Sequence, residues 1–306
     1  MKKVTAIICG KNPNAEQMKE EIVRNFGSAF DLTCYITQKG TASAIAAQAA
    51  DNGVDAILAV GGDGTINEIV NGIVREFVDI SILPSLALMP FGTGNDLART
   101  INAGSNYAKI IEKINNDDYI ISDVASAAYK THSGDVGSRY FVNICDIGLG
   151  PSVISKAERL AKKMPGSLAY TLGAVATMLF PPKINIRLTT NDFTVEGPMS
   201  EICVANGKYF GGGYGISPYS VFNDGLLDIV YIKKLSFLKF LAQLHKVRLC
   251  KFVYADKIFY RKTTICRIES IDKNQIDIEI DGELVGTTPL EIKILSSSLK
   301  IFVDTK

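Results

Sequence analysis

The chain has no C-x-x-C pair, only two histidines, and six cysteines scattered at positions 9, 34, 145, 203, 250 and 266. That spacing argues against a structural zinc site and against a disulfide framework, and it suits a reducing cytosol. An excess of one charge is also missing. Lys and Arg number 33 against 32 Asp and Glu, a formal net charge of +1, so no global basic field points to nucleic acid. Long apolar runs are absent too. The N-terminal "MKKVTAIICGKNP" is too short for a secretory signal and reads as a first strand. The apolar stretch 167–182 falls short of the roughly 20 residues a membrane-spanning helix needs. The expectation is a cytoplasmic protein, at most peripheral to the inner face of the membrane. Two familiar nucleotide signatures are lacking: there is no G-x-x-x-x-G-K-[ST], and no G-x-G-x-x-G followed by a well-placed acid.

What the chain does have is 47% hydrophobic residues and enough length, 306 residues, for two domains. Short apolar runs at 4–9, 32–36, 55–60 and 86–90 alternate with helical patterns at 15–25, 42–51, 66–74, 96–100 and 107–115. Such alternation predicts βαβ units and a parallel sheet covered on both faces. Beyond residue 123 the pattern changes to period-2 stretches such as "RYFVNICDIG" and "NQIDIEIDGELV", which predict an antiparallel β-sandwich interrupted by helices at 154–180 and 235–254. The expected domains are residues 1–122, with 293–306 returning to them, and residues 123–292.

The segment "DAILAVGGDGTINEIVNGI" runs from a buried strand through glycines into a helix. A tight glycine turn at a helix N-terminus offers backbone N–H groups and the positive end of the helix dipole to a phosphate. Thr65 and Glu68 have capping-box spacing. Neither feature explains Asp63, which beside an anion site calls for a cation between the two, and Mg²⁺ is the natural one. A second turn, "PFGTGNDLA", follows the next strand and again delivers glycines, Thr93 and an acid, Asp96, to the same sheet edge.

These two motifs, in this order, resemble the diacylglycerol-kinase catalytic domain of lipid and sphingoid-base kinases, most closely the soluble bacterial enzymes. "FVNICDIGLGPSVI", "VFNDGLLDIVYI" and "IEIDGELVGTTPLEI" extend the resemblance across nearly the whole chain. It implies a two-domain kinase with ATP, Mg²⁺ and a lipid at the membrane surface as its partners, and a homodimer as one admissible assembly. Residues Gly61, Gly62, Asp63, Gly64, Thr65, Ile66, Asn67 and Thr93 would hold the ATP phosphates, with Thr37 also at the nucleotide. Asp63, Asp96 and Asp123 match the family's aspartate network around the catalytic magnesium. Asp281 or Glu283 would accept the lipid hydroxyl proton, and the resemblance does not choose between them. In some members a structural magnesium sits at the turn matched here by Asp224 and the carbonyls of Val221 and Leu226. Many members open with N-P-x-[AS]-G after the first strand; "CGKNPNAE" departs from it, so no nucleotide contact is carried onto residues 10–14.

Taken without the resemblance, Asp281-Gly282 and Asn223-Asp224-Gly225 are ordinary turns. The two acids at 281 and 283 share one side only if strand geometry persists through Gly282. Residues 235–262 mix basic and apolar side chains, as do residues 162–183, and either could lie on an anionic membrane or pack inside. The rival activities are an NAD kinase, which also uses a G-G-D-G-T turn, and a catalytically silent nucleotide- or lipid-binding regulator. The "GTGNDLA" and "DGLLD" segments favour the lipid kinase over the first, and the intact acids favour it over the second.

Overall fold

The six residues AILAVG at 56–61 are buried at every position, as a strand must be when both sheet faces are covered. The computed structural model describes residues 1–76, 78–233, 245–251, 253 and 256–304. The chain divides into two compact units, one of Met1–Val124, Phe222–Asp224 and Leu295–Lys306, the other of Ala125–Val221 and Gly225–Ile294. Residues 222–224 thus group with the first unit, although they lie far along the stretch expected to be the second.

In the first unit the order is β1 (Lys3–Cys9), α1 (Ala15–Phe26), β2 (Asp31–Thr37), α2 (Ala42–Asp51), β3 (Ala56–Gly61), α3 (Asp63–Ile73), β4 (Ser85–Pro90), α4 (Asp96–Thr100) and α5 (Tyr107–Asn116). The strands pair parallel in the order β2-β1-β3-β4. Ile301 from the end of the chain lies parallel beside Leu86. From β1 the chain turns first to β2 on one side and then to β3 on the other. That reversal makes a switch point at the carboxyl ends of β1 and β3, where open α/β sheets bind ligands.

Helix α1 buries Ala15, Met18, Ile22 and Phe26, an apolar stripe at helical spacing. It packs with Ile110 and Ile114 of α5 over Val4, Ala6, Ile8, Leu58 and Val60. Fully buried side chains of this size, such as Ile22, Phe26 and Leu58, each contribute about 1.5–3 kcal/mol. Helix α3 starts three residues earlier than a Thr65 cap would require. Gly62 is its N-cap, in extended conformation, with no side-chain cap. Glu68 turns away to accept the Ala42 N–H at the start of α2 (3.1 Å), so the capping box does not form.

The second unit begins partway along β5 (Tyr119–Lys130) and continues with β6 (Val136–Phe141), β7 (Ile144–Ile147), α6 (Leu149–Ala161), α7 (Gly166–Leu179), β8 (Ile184–Thr190) and β9 (Thr194–Ala205). It then runs through β10 (Tyr209–Phe210), β11 (Tyr214–Gly215), β12 (Leu227–Lys233), β13 (Ile258–Thr263), β14 (Ile265–Ser270), β15 (Asp277–Ile280) and much of β16 (Glu283–Phe302). Antiparallel ladders link β7-β9-β8-β14-β16-β15 and return to β7, closing a ring. Its interior holds Phe141, Ile147, Ile186, Leu188, Ile202, Ile229, Ile268, Ile280 and Ile292.

The helical stretch expected at 154–180 is two helices. Pro165, the N-cap of α7, cannot donate a backbone hydrogen bond and so divides them. The helix expected at 235–254 lies largely outside the described residues. Among the described residues no helix is long and apolar enough to cross a membrane.

Helices α2 and α3 meet where Gly72 has no side chain. A Cβ there would lie 2.3 Å from the Ser43 carbonyl oxygen and 2.8 Å from the Ala46 Cβ. Gly72→Ala is expected to lower stability in urea unfolding by about 1–3 kcal/mol. A variant as stable as the parent would refute this packing.

Candidate active site

The two glycine turns of the first unit are joined at three points. The Phe91 N–H donates to the Gly61 carbonyl (2.9 Å). Gly62 and Gly92 face each other so closely that a Cβ on Gly92 would lie 2.3 Å from the Gly62 Cα, and one on Gly62 2.8 Å from the Gly92 Cα. The third link answers the question raised by Asp63. Its Oδ1 accepts the Leu97 N–H at the start of α4 (3.0 Å), so the acid of the first turn caps the helix of the second.

Each turn has its own local cause. In the first, the bond from the Ile66 N–H to the Gly62 carbonyl (3.1 Å) opens the α3 ladder. The amides of Asp63, Gly64 and Thr65 precede it at the positive end of the helix. In the second, Asn95 adopts a left-handed conformation. Its side chain accepts the Gly92 N–H (2.8 Å) and donates to the Gly92 carbonyl (2.7 Å), which Asn tolerates better than most residues.

The structure distributes the expected phosphate contacts unevenly. Gly61, Gly62, Asp63, Gly64, Thr65 and the exposed Thr93 line these turns. Ile66 is buried and spends its amide within α3, while Asn67 is fully buried and accepts from Asn71 (2.8 and 3.1 Å). Thr37 lies beside the turn after β1: its Oγ1 accepts the Gly10 N–H (3.3 Å), and a Cβ on Gly10 would strike the Thr37 carbonyl.

Candidate donors for a divalent cation meet at Gly94. A Cβ there would lie 2.8 Å from Asp63 Oδ2 and 3.4 Å from Asp96 Oδ2. Two carboxylate oxygens therefore turn toward one point, the hard-oxygen chemistry that suits Mg²⁺. Arg99 holds the other Asp96 oxygen (2.9 Å) and reaches the Gly94 carbonyl (3.2 Å). Asp123 Oδ1 accepts the Ser297 N–H (2.8 Å). Among the described residues no three His, Cys, Asp or Glu side chains are grouped as a ligand set, so the expected triad is seen as a pair. Asp224 falls in the first unit and Val221 and Leu226 in the second.

In the second unit the D-G-E segment is a tight hairpin. Asp281 and Gly282 both have positive φ (45° and 92°), and Ile280 pairs with Glu283 across the turn. Strand geometry does not persist through Gly282, so the two acids diverge. Asp281 is buried, with Oδ1 accepting the Ile144 N–H (2.9 Å) and Oδ2 the Val142 N–H (3.4 Å). Glu283 is part-exposed and pairs with Arg139 (2.8 Å). Sequence reading missed Arg139 and Arg99. The second had a readable sign, the three-residue spacing from Asp96 on one helix face.

Paired glycine turns at a parallel-sheet switch point are followed along the chain by an antiparallel β unit. A family profile for the diacylglycerol kinase catalytic domain matches residues 9–127. One described as the YegS C-terminal NAD kinase beta sandwich-like domain matches residues 145–303. A "Probable lipid kinase YegS-like" protein of Stenotrophomonas maltophilia is 29% identical over 230 residues, 75% of this chain and 73% of the relative. A "Putative lipid kinase" of Streptococcus pneumoniae is 26% identical over 314 residues, 100% of this chain and 99% of the relative. A crystal structure titled as a "putative diacylglycerol kinase" from Bacillus anthracis superposes with a TM-score of 0.77 at 28% identity, over 99% of this chain and 97% of the other. Yeast NADH kinase, at 12% identity and a TM-score of 0.54, covering 99% of this chain and 84% of its own, shares the fold. The chain belongs to the diacylglycerol-kinase-type family of lipid kinases.

The cap between the turns has a direct test. Asp63→Asn keeps an oxygen for the Leu97 N–H and Asp63→Ala removes it. The alanine variant is expected to be less stable than the asparagine variant by about 0.5–2 kcal/mol in thermal melts without nucleotide. Equal stabilities would contradict the cap.

Proposed function

We propose that the chain transfers the γ-phosphoryl group of ATP to a hydroxyl of a membrane lipid, with diacylglycerol as the reference acceptor and a phosphatidic-acid-type product. The observation that carries this reading is the pair of interlocked glycine turns with Asp63 and Asp96 turned toward one point beside them. Phosphoryl transfer asks a protein chiefly for positioning and charge stabilisation. The turn amides bind the triphosphate through backbone N–H groups. Asp63 and Asp96 would hold the magnesium ion, which screens the phosphate oxygens when bound.

Of the two late acids, Glu283 is the proposed base. Asp281 is committed to two strand amides and anchors the hairpin. Glu283 keeps a part-exposed carboxylate oriented by Arg139, and it takes the proton of the attacking lipid hydroxyl as the oxygen–phosphorus bond forms and ADP leaves.

Access to a lipid is proposed through α7. Leu168, Leu172, Val175 and Leu179 recur at helical spacing on its exposed side, and Phe180, at 78% exposure, follows them. The exposed Lys162, Lys163 and Lys183 flank this stripe. Gly173 lets α6 pack against the opposite side, where a Cβ would lie 3.0 Å from the Ala157 nitrogen. An apolar stripe with lysines at both ends suits the interface of an anionic bilayer, which would place the protein at the inner face of the membrane. In the basic segment 235–262, residues 235–244, 252, 254 and 255 lie outside the described residues.

Purified protein with ATP, Mg²⁺ and a whole-lipid extract is expected to yield a new lipid phosphomonoester by mass spectrometry. Phosphorylation of NAD in a parallel incubation, with no lipid product, would reject this reading in favour of an NAD kinase. Glu283→Gln is expected to lower kcat about 10²–10⁴-fold with little change in the KM for ATP. Asp281→Asn is expected to act first on stability. Unchanged turnover in Glu283→Gln would remove the assigned base.

A further inference from the structure

Three acids outside the proposed chemistry sit side by side in the second unit. Asp146 of β7 lies directly opposite Glu279 of β15. Across its other ladder Asp146 faces Cys203, two residues from Glu201 on β9. Their chain neighbours Cys145, Ile147, Ile202, Ile278 and Ile280 fill the ring interior, so alternation puts the three acids together on the other face. All are buried, with Asp146 and Glu201 at 1% exposure and Glu279 at 9%.

Helix α6 closes this face. The Leu149 N–H donates to Glu201, and the Gly150 amide lies beside it. A Cβ on Gly150 would lie 2.0 Å from Asp146 Oδ2 and 2.5 Å from Glu279 Oε2.

Three ionised carboxylates are not stable in so dry a space unless positive charge accompanies them. A metal ion needs a shell of oxygens at about 2.0–2.6 Å and room for it. Here the space is taken by the Gly150 backbone, and the amides beside it are already the positive end of a helix. The proton is the cation that fits. No fixed donor reaches either oxygen of Asp146 or Oε1 of Glu201. A carboxyl hydrogen on Glu279 can serve Asp146, and one on Asp146 can serve Glu201.

We propose that Asp146, Glu201 and Glu279 are positioning residues, a proton-linked chain of acids that clamps β15 to β7 and α6 and so sets the turn presenting Glu283. Glu279 and Asp281 flank Ile280, and Asp281 both donates to the Ile144 carbonyl and accepts the Ile144 N–H (2.9 Å each). The turn thus hangs from the strand that carries Asp146. The consequence for turnover rests on the kinase reading above; the clamp itself does not.

Burial pushes all three acids up, Glu201 to about 8, where the α6 amides oppose the rise. The titratable neighbours are Cys203 of β9 and Cys145 of β7, both also pushed up by burial, and Asp281 after β15. The first turn of α6 carries no acid. An acid that binds its proton more tightly in the folded chain favours folding fully below its unfolded value, about 4. That contribution fades as pH rises toward and through the folded value.

The test follows hydrogen exchange of the Ile144 and Asp281 amides in the full chain, corrected for intrinsic rate. From about pH 6 to about pH 9, protection is expected to fall about tenfold or more in the parent and less than about twofold in Asp146→Asn/Glu201→Gln/Glu279→Gln, which keeps hydrogen bonds without charge. Turnover with ATP, Mg²⁺ and diacylglycerol micelles should decline over the same window in the parent and persist in the triple variant, with the KM for ATP unchanged. Flat protection in the parent, or equal losses in parent and variant, would overturn the clamp. The expected exchange pattern without lipid phosphorylation in either protein would support the clamp and fell the kinase reading.

Discussion

One hydrogen bond, from the Leu97 N–H to the Asp63 carboxylate, organises the paired glycine turns of the first unit. It joins the start of α4 to the start of α3 and brings the second glycine turn against the first. The approach of Gly62 to Gly92 follows, and only glycine on both sides permits it. With Oδ1 committed to the cap, Oδ2 of the same carboxylate faces Gly94 with Asp96. A charged acceptor makes the stronger cap, so one side chain serves both helix geometry and the charge of the site.

Much of the first unit was legible because its signals are local. The strand and helix at 86–90 and 96–100, the alanine-rich helix at 42–51 and the apolar strand at 56–61 lie within a residue of expectation, since burial on both faces and helical periodicity leave a direct imprint on composition. The start of α3 was misplaced. Thr65 and Glu68 have the spacing of a capping box, but the chain is extended at Gly62 and Glu68 finds a partner 26 positions away at Ala42. No local window contains that contact.

The site was legible in its motifs and illegible in its bonding. Asp281 and Glu283 read as equivalent candidates. The left-handed pair Asp281-Gly282 separates them, burying one carboxylate on strand amides and leaving the other on Arg139. The acids at 146, 201 and 279 lie far apart along the chain, and only ladder register makes them neighbours. In the ring of antiparallel strands, contacts of this kind come from distant positions, so a reading of period-2 stretches captures the type of structure and not its register.

The proposed function requires the backbone amides of two touching turns to bind the triphosphate of a nucleotide. Calorimetry of MgATP binding to the parent and to Gly92→Ala measures it most directly, with circular dichroism to confirm that the variant stays folded. The account predicts clear binding by the parent and a loss of about tenfold or more in the variant, equivalent to about 1.4 kcal/mol or more. A folded Gly92→Ala protein that binds MgATP as tightly as the parent would contradict it.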